Sequence, residues 1–486
     1  MKKFINISSL VIAVIVTLCF QGCKSDDGPS YSNDLHVYRD SVEVDALNFN
    51  MGTAFCMIGV FCESDWEATC PDEWCTISNH AGYGYTNKMS YIKVNVTKNQ
   101  GDARTTNITF SSGGNTKVIT VAQKGTSSDP GDTFQSAFDF VESIHLGYNL
   151  GNTLDCDPDV GASRSWWRPT SDLDWETVWG QPVTTQEIID SIKAKGFDVV
   201  RVPVTWFPHM DKDWNIKEIW INRVQEVVDY VINAGMYCIL NVQHDTGARG
   251  SRTDGAGWLR ADPSEYEASS VKFKSLWTQI ANRFKDYDEK LLFEAFNEIL
   301  DENDTWGDPS NSEAYTVINK LEQDFVDAVR ATGGNNEFRN LVCNPYSAGQ
   351  TAAKLAGFQV PNDIHSNHIL ASVHCYDPYN FCNDNSGDGY DYNIYSWDSE
   401  CEAELDAIGV RVNNRFNDLG IPYIYGEFGA IDEGKDMGER IKYAKYAMSM
   451  FKNYGTTGLW WMGLVNRSTL VWYEDEIVEA LLQNCK

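Results

Sequence analysis

From residue 134 to residue 486 one pattern repeats: an apolar run of strand length, a helical stretch, then the next apolar run. Eight candidate strands follow one another: Ile144 to Leu150, Asp198 to Val204, Met236 to Val242, Leu291 to Phe296, Asn340 to Asn344, Ile369 to His374, Pro422 to Tyr425 and Thr457 to Trp461. Helical stretches such as Gln186 to Lys195, Ile219 to Ala234, Phe273 to Phe284 and Gly438 to Tyr454 separate them. Eight strand–helix units over about 350 residues predict an α/β architecture, a closed (β/α)8 TIM barrel with inserted loops. In that fold chemistry sits where the strands end.

Residues 35–125 follow a different period. Tyr91-Ile92-Lys93-Val94-Asn95-Val96 and Lys117-Val118-Ile119-Thr120-Val121 alternate apolar and polar positions between Gly and Asn turns, which predicts a small all-β, immunoglobulin-like sandwich. Trp66 and Trp74 could stack on a sugar, but among short strands a tryptophan more often fills the core. Residues 126–133 read as a linker. The balance of 39 basic against 69 acidic residues, a net charge of −30, repels phosphate backbones and anionic headgroups and leaves neutral ligands unaffected, so nucleic acid is excluded as a partner.

Lys2 and Lys3 precede an apolar run from Leu10 to Phe20, too short to span a bilayer and flanked as a secretory signal is. Leu18-Cys19-Phe20-Gln21-Gly22-Cys23 resembles a bacterial lipoprotein cleavage box, with Phe20 where Leu is usual. That makes residues 1–22 a lipoprotein-type signal peptide and Cys23 the lipidated N-terminus; the alternative is ordinary signal cleavage with Cys23 a plain thiol. Lys24-Ser25-Asp26-Asp27 resembles the acidic signal of Bacteroidota lipoproteins, implying an exported outer-membrane lipoprotein exposed at the cell surface. Of 13 cysteines, setting aside Cys19 and Cys23 leaves 11, an odd number, so a full disulfide framework is not expected; for Cys56, Cys62, Cys70 and Cys75, which lack a CxxC spacing for zinc, buried thiols or one bridge are expected.

Polar residues gather at the strand ends. Phe293-Glu294-Ala295-Phe296-Asn297-Glu298 and Ile424-Tyr425-Gly426-Glu427-Phe428-Gly429 each place a glutamate at the end of an apolar run. Two carboxylates, in a chain with 16 Trp and 23 Tyr, are what cleavage of a glycosidic bond needs: an acid, a nucleophile and aromatic faces for sugars. Glu298 is the expected acid/base and Glu427 the expected nucleophile. Arg201 lies within Val199-Val200-Arg201-Val202-Pro203-Val204, where a lone buried cation would be costly, so it is paired with Glu427. His374 and Tyr376, two apart on a strand, face one side, the imidazole towards Glu298 and the phenol towards Glu427.

With Asn297-Glu298, His374-x-Tyr376 and Glu427 in this order at successive strand ends, residues 138–486 resemble glycoside hydrolase family 5, the cellulase family of retaining enzymes. Gly147-Tyr148-Asn149-Leu150-Gly151-Asn152-Thr153-Leu154-Asp155 is similar to the opening motif of its endoglucanase branch. The resemblance implies that Asn297 meets the sugar 2-hydroxyl, that Asn149 and Asn152 bind substrate, and that no cofactor is needed. Trp461 at the eighth strand, whose face can stack on a pyranose, and Trp206 and Trp258, by their loop or strand-end positions at the active face, are the candidate sugar platforms. His244 follows Gln243 where relatives often carry a histidine pair, which leaves its supporting role open. Asp65-Trp66, Glu73-Trp74-Cys75-Thr76-Ile77, Arg104, Gly113-Gly114 and Gln123-Lys124-Gly125 resemble the BACON module found on surface enzymes. The implied activity is endo-β-1,4-glucan hydrolysis, on cellulose-like, mixed-linkage or xylose-branched β-glucan, by a monomer. An endo-β-mannanase and a noncatalytic surface glycan-binding protein are the alternatives.

Two patterns mimic metal sites. Asp384-Asn385-Ser386-Gly387-Asp388-Gly389 opens like a calcium loop, yet Tyr395 stands where that loop needs Glu. Asp363, His365 and His368 could ligate zinc but precede a strand, so surface histidines are expected there and no metal is assigned.

Overall fold

The computed structural model describes residues 35–39, 42–49, 51–86, 88–125, 134–157, 169–250, 255–383, 386–387, 390–432 and 434–486. The signal peptide, Cys23, the linker, Trp166, Trp167 and positions 384, 385, 388 and 389 of the calcium-like loop lie outside the described residues.

The N-terminal unit is two five-stranded sheets. One runs β2 (Val42–Glu43), β1 (His36–Arg39), β4 (Ala54–Phe61), β8 (Ser90–Val96), β6 (Cys75–Ile77); the other runs β3 (Ala46–Phe49), β10 (Asn115–Gln123), β9 (Arg104–Ser112), β5 (Trp66–Thr69), β7 (Ala81–Gly82). The period-two alternation turns Ile92, Val94 and Val96 of one sheet inward onto Ile108, Phe110, Ile119 and Val121 of the other. Trp66 is buried edge-on against Phe110, and Trp74 is half-buried beneath the Arg104 guanidinium, 4.4 Å from its ring. All eleven cysteines among the described residues are thiols.

The second unit is a closed barrel of eight parallel strands. These are β11 (Gly147–Asn149), β12 (Val199–Val202), β13 (Tyr237–Asn241), β14 (Leu291–Glu294), β15 (Leu341–Cys343), β16 (Ile369–Cys375), β17 (Tyr423–Phe428) and β18 (Gly458–Trp461). Closure comes from the pairing of Tyr148 with Trp460. Helix α1 (Ala137–Ser143) precedes the first strand, and α2 (Gln186–Lys195), α3 (Glu218–Asn233), α4 (Tyr266–Phe284), α5 (Glu313–Arg330), α6 (Ala352–Gly357), α7 (Ser399–Leu419), α8 (Met437–Asn453) and α9 (Asp475–Asn484) follow successive strands. Sequence dictates these helices locally. In α3, Trp220, Ile221, Val224, Val227, Val228 and Val231 recur at helical spacing and bury one face on the barrel. In α2, Thr185 caps the first turn by accepting from the Ile188 N–H, and Gly196 ends the helix at a φ of 113° that a side chain would resist.

Helix α1 closes the N-terminal end of the barrel, where Ala137, Phe140 and Val141 cover Val199, Ile239, Leu292, Val342, Leu370, Ile424 and Leu459. The sandwich docks on this side. Lys98 pairs with Asp139 of α1 at 2.7 Å, Arg39 pairs with Asp418 of α7 at 2.6 Å, and Phe55 stacks on Tyr454 at 5.1 Å. The C-terminal strand ends are left to the barrel's own loops.

Candidate active site

Alternation along β12 sends Val200 and Val202 out to the helices and Arg201 into the barrel, where it is fully buried. An uncompensated cation there would be severely destabilising, and every arm of the guanidinium is engaged. Nη1 donates to Glu427 Oε1 at 2.7 Å and to Asn149 Oδ1 at 3.0 Å, Nη2 to Asn297 Oδ1 at 2.9 Å, and Nε to Glu294 Oε2 at 2.5 Å. Burial opposes the charge, but Glu294 and Glu427 outweigh it and hold Arg201 above its ordinary pKa.

Glu427 reaches the interior through an irregularity. Strict alternation from Ile424 would point Gly426 inward and Glu427 outward. The register of β17 shifts against both neighbours, between Val373 and His374 on one side and between Tyr425 and Phe428 on the other. Such a bulge re-aims one side chain, and here both residues face the interior. Glycine at 426 leaves room for Ser372, since a Cβ there would lie 2.2 Å from Ser372 Oγ and force that hydroxyl to move.

His374 Nδ1 lies 2.8 Å from Glu298 Oε1 and 3.6 Å from Glu427 Oε2, while Tyr376 Oη donates to Glu427 Oε2 at 2.8 Å. Burial alone would lower the His374 pKa, but Glu427 and Glu298 outweigh it and raise it. The Tyr376 phenol is pushed well up, by burial first and then by Glu427, so it stays a donor. One oxygen of Glu298, one of Glu427 and a ring nitrogen of His374 all lie within 4.8 Å of one another. Spaced like ligands for a divalent ion, these groups are already committed to each other, to Tyr376 and to the Arg201 cation, which fits a proton-transfer site better than a metal site.

The structure thus brings together Glu298, Glu427, Arg201, Asn297, His374 and Tyr376. Trp461 is half-buried with its indole against Gly151, where a Cβ would come within 2.9 Å of the ring, while neighbouring Trp460, 2% exposed, points out to the helices and packs on Phe428 and Tyr443. Beside it, Tyr376, Asn383, Asp432, Trp461 and Tyr473 line a cavity of about 480 Å³, a size suited to sugar-sized ligands.

Three expectations change. Trp206 does not line the cleft: it is fully buried with Nε1 donating to the Asn241 carbonyl, because its backbone N–H is drawn to buried Asp245. Asn149 is also fully buried, its amide donating to the Gly426 and Leu459 carbonyls, so it orients Arg201 and does not meet sugar. Of the metal-like histidines, His368 is not at the surface but buried with Nδ1 2.9 Å from Asn340 Oδ1, whereas His365 is partly exposed beside Glu337, and Arg330 claims Asp363.

Other residues take intermediate positions. Trp258 is half-buried and donates from Nε1 to Asp245, whose pKa burial raises to about 6. Asn152 sits in the left-handed region at φ 58°, with its N–H on Asp155 Oδ2. His244 stands edge-on to Trp179, 5.4 Å between ring centroids. Sequence reasoning missed Glu294, although an acidic residue within an apolar run carries the same signal that singled out Arg201.

The cellulase profile of glycosyl hydrolase family 5 matches residues 167–465, and the BACON profile, a putative N-terminal binding domain, matches residues 64–124. Endoglucanase A of Clostridium longisporum is 35% identical over 372 residues, which is 73% of this chain and 67% of that protein. The crystal structure of a glycoside hydrolase family 5 enzyme from Prevotella bryantii B14, in complex with the xyloglucan tetradecasaccharide XXXGXXXG, is similar at 39% identity and a TM-score of 0.65, covering 72% of this chain and 99% of that one. A xyloglucan-specific endo-β-1,4-glucanase from Bacteroides ovatus is 29% identical over 460 residues, 89% of this chain and 85% of that protein, a span that includes the sandwich. With a barrel of this topology, paired glutamates at the ends of β14 and β17 and a family profile over most of the barrel, the chain belongs to glycosyl hydrolase family 5.

Proposed function

We propose that the protein is an endo-β-1,4-glucanase that cleaves internal bonds of a plant cell-wall β-glucan with retention of configuration, Glu427 attacking the anomeric carbon and Glu298 serving as acid and then base. The observation that carries this reading is the spacing of the two carboxyl groups. Oxygens within 4.8 Å leave no room for the water that an inverting enzyme places between groups roughly 6.5–9.5 Å apart, and match the roughly 5 Å of a double displacement. Arg201 and Tyr376 hold one Glu427 oxygen each and aim the side chain into the cleft, while His374 fixes Glu298. Asn297 gives its oxygen to Arg201, so its amide nitrogen is presented to a sugar 2-hydroxyl, a contact that strengthens in the transition state. The half-exposed Trp461 supplies a face for the pyranose at the cleavage point.

Xyloglucan is the first candidate substrate, because the Prevotella bryantii enzyme binds a xyloglucan oligosaccharide and the Bacteroides ovatus relative is xyloglucan-specific. The chain is further proposed to be anchored through Cys23 to the outer membrane; incorporation of labelled palmitate that is lost in Cys23→Ala is the expected result. Reducing-end release from carboxymethyl cellulose, mixed-linkage glucan, xyloglucan and glucomannan tests the activity, with Glu298→Gln as control. Glucan cleavage that disappears in the control is expected. Cleavage of glucomannan alone would make the enzyme a mannanase, and binding without cleavage would make it a glycan-binding protein.

A further inference from the structure

Arg201 joins two buried carboxylates, and the double displacement uses only one. The other, Glu294, is 1% exposed and sits on β14 four residues before Glu298. Its Oε2 accepts from Arg201 Nε at 2.5 Å and its Oε1 from Asn344 Nδ2 at 3.2 Å. Asn344, just past the end of β15, is itself fixed: Nδ2 also donates to the Phe296 carbonyl at 2.7 Å, and its backbone N–H donates to Glu322 Oε1 on α5 at 2.7 Å. A continuous chain of contacts therefore runs from helix α5 through Asn344, Glu294 and Arg201 to Glu427. Glu294 is held behind the guanidinium, with Glu427 and Asn297 on the other arms.

Resting on the reading of Glu427 as nucleophile, we propose that Glu294 is a positioning residue that keeps Arg201 electrically paired while Glu427 loses its charge. In the first step an oxygen lone pair of Glu427 forms a bond to the anomeric carbon. The electron pair of the glycosidic C–O bond passes to the leaving oxygen, which takes the Glu298 proton. Glu427 becomes a neutral ester, and a buried guanidinium facing only that ester would be an uncompensated charge. Glu294 supplies the standing partner. It also shares the attraction of Arg201 beforehand, so the free Glu427 carboxylate is less strongly held and more reactive than in a simple ion pair.

This division of charge makes the two chemical steps respond oppositely. Without the Glu294 charge, attack by Glu427 is penalised, whereas departure of Glu427 as a carboxylate in the second step is not. A residue that merely supported the fold would slow both. The test uses a 2-deoxy-2-fluoro cellobioside with a dinitrophenyl leaving group, whose inactivation rate reports attack and whose reactivation rate reports hydrolysis of the trapped ester. In Glu294→Gln, inactivation should slow about 10- to 100-fold while reactivation is unchanged or faster. Glu294→Asp, which keeps the charge on a shorter stem, should hold the ratio of the two rates within about three-fold of the unaltered protein even if both fall. Equal slowing of both steps in Glu294→Gln, an inactivation rate within about two-fold of the unaltered protein, or a shifted ratio in Glu294→Asp would each overturn the proposal. Trapped enzyme labelled at a residue other than Glu427, or no trapping at all, would instead overturn the retaining reading and this proposal with it.

Discussion

At the N-terminal end of the barrel the inward residues are Val199, Ile239, Leu292, Val342, Leu370, Ile424 and Leu459, sealed by α1. Two residues further along the same strands, the next inward positions hold Arg201, Asn241, Glu294, Asn344, Ser372, Gly426 and Trp461. One end is an apolar plug that stabilises by leaving water; the other buries a cation and two carboxylates that are tolerable only while paired. The contrast shows how a barrel separates stability from chemistry without separate segments of chain. A single step of the strand period divides them.

Removing charge at the polar end should have the largest effect. Arg201→Met leaves Glu294 and Glu427 buried without a cation, and urea unfolding at pH 7 should show a loss of about 3–5 kcal/mol together with loss of hydrolysis. Unchanged stability would mean that the two ends are not as different as the packing implies. At the apolar end, Leu292→Ala opens a cavity and should lower unfolding free energy by about 2–4 kcal/mol, with kcat at 25 °C kept within about two-fold. A large fall in kcat in that variant, while still folded, would show that the plug and the site are coupled.

The smallest expected effect lies in the pH dependence of Glu322, behind Asn344. Burial raises its pKa from 4.5 to about 8. The folded protein keeps this proton where the unfolded chain loses it, so the contribution is full below pH 4.5 and is lost as pH rises towards 8. Glu322→Gln removes that dependence. Its stability should fall less steeply between pH 5 and 8 than that of the unaltered protein. Parallel stability profiles for the two proteins would remove Glu322 from the account.

Much of this was legible in the sequence. Each barrel strand falls within its predicted run or extends past it by at most three residues, because continuous apolar runs between helical patterns leave few alternatives. The Arg201–Glu427 pairing follows from the cost of a lone buried charge. The same logic applied to Glu294 would have exposed the second carboxylate. Other features depended on tertiary detail. The inward turn of Glu427 comes from a register shift that residue types alone do not announce. Trp206 looked like a strand-end sugar platform, yet the buried Asp245 accepts its N–H and that of Phe207 and draws the ring into the core. Asn149 falls at a strand end with the substrate-facing residues, but three backbone carbonyls claim its amide, a competition visible only once β11, β17 and β18 are side by side.

The stereochemistry of the first product depends on the spacing of Glu298 and Glu427, and it distinguishes a double displacement from a single one. Proton NMR of a β-glucan oligosaccharide digested in deuterated buffer resolves the anomeric signals before mutarotation mixes them. The new reducing end should appear first as the β-anomer and then equilibrate. An initial α-anomer would contradict a double displacement through Glu427.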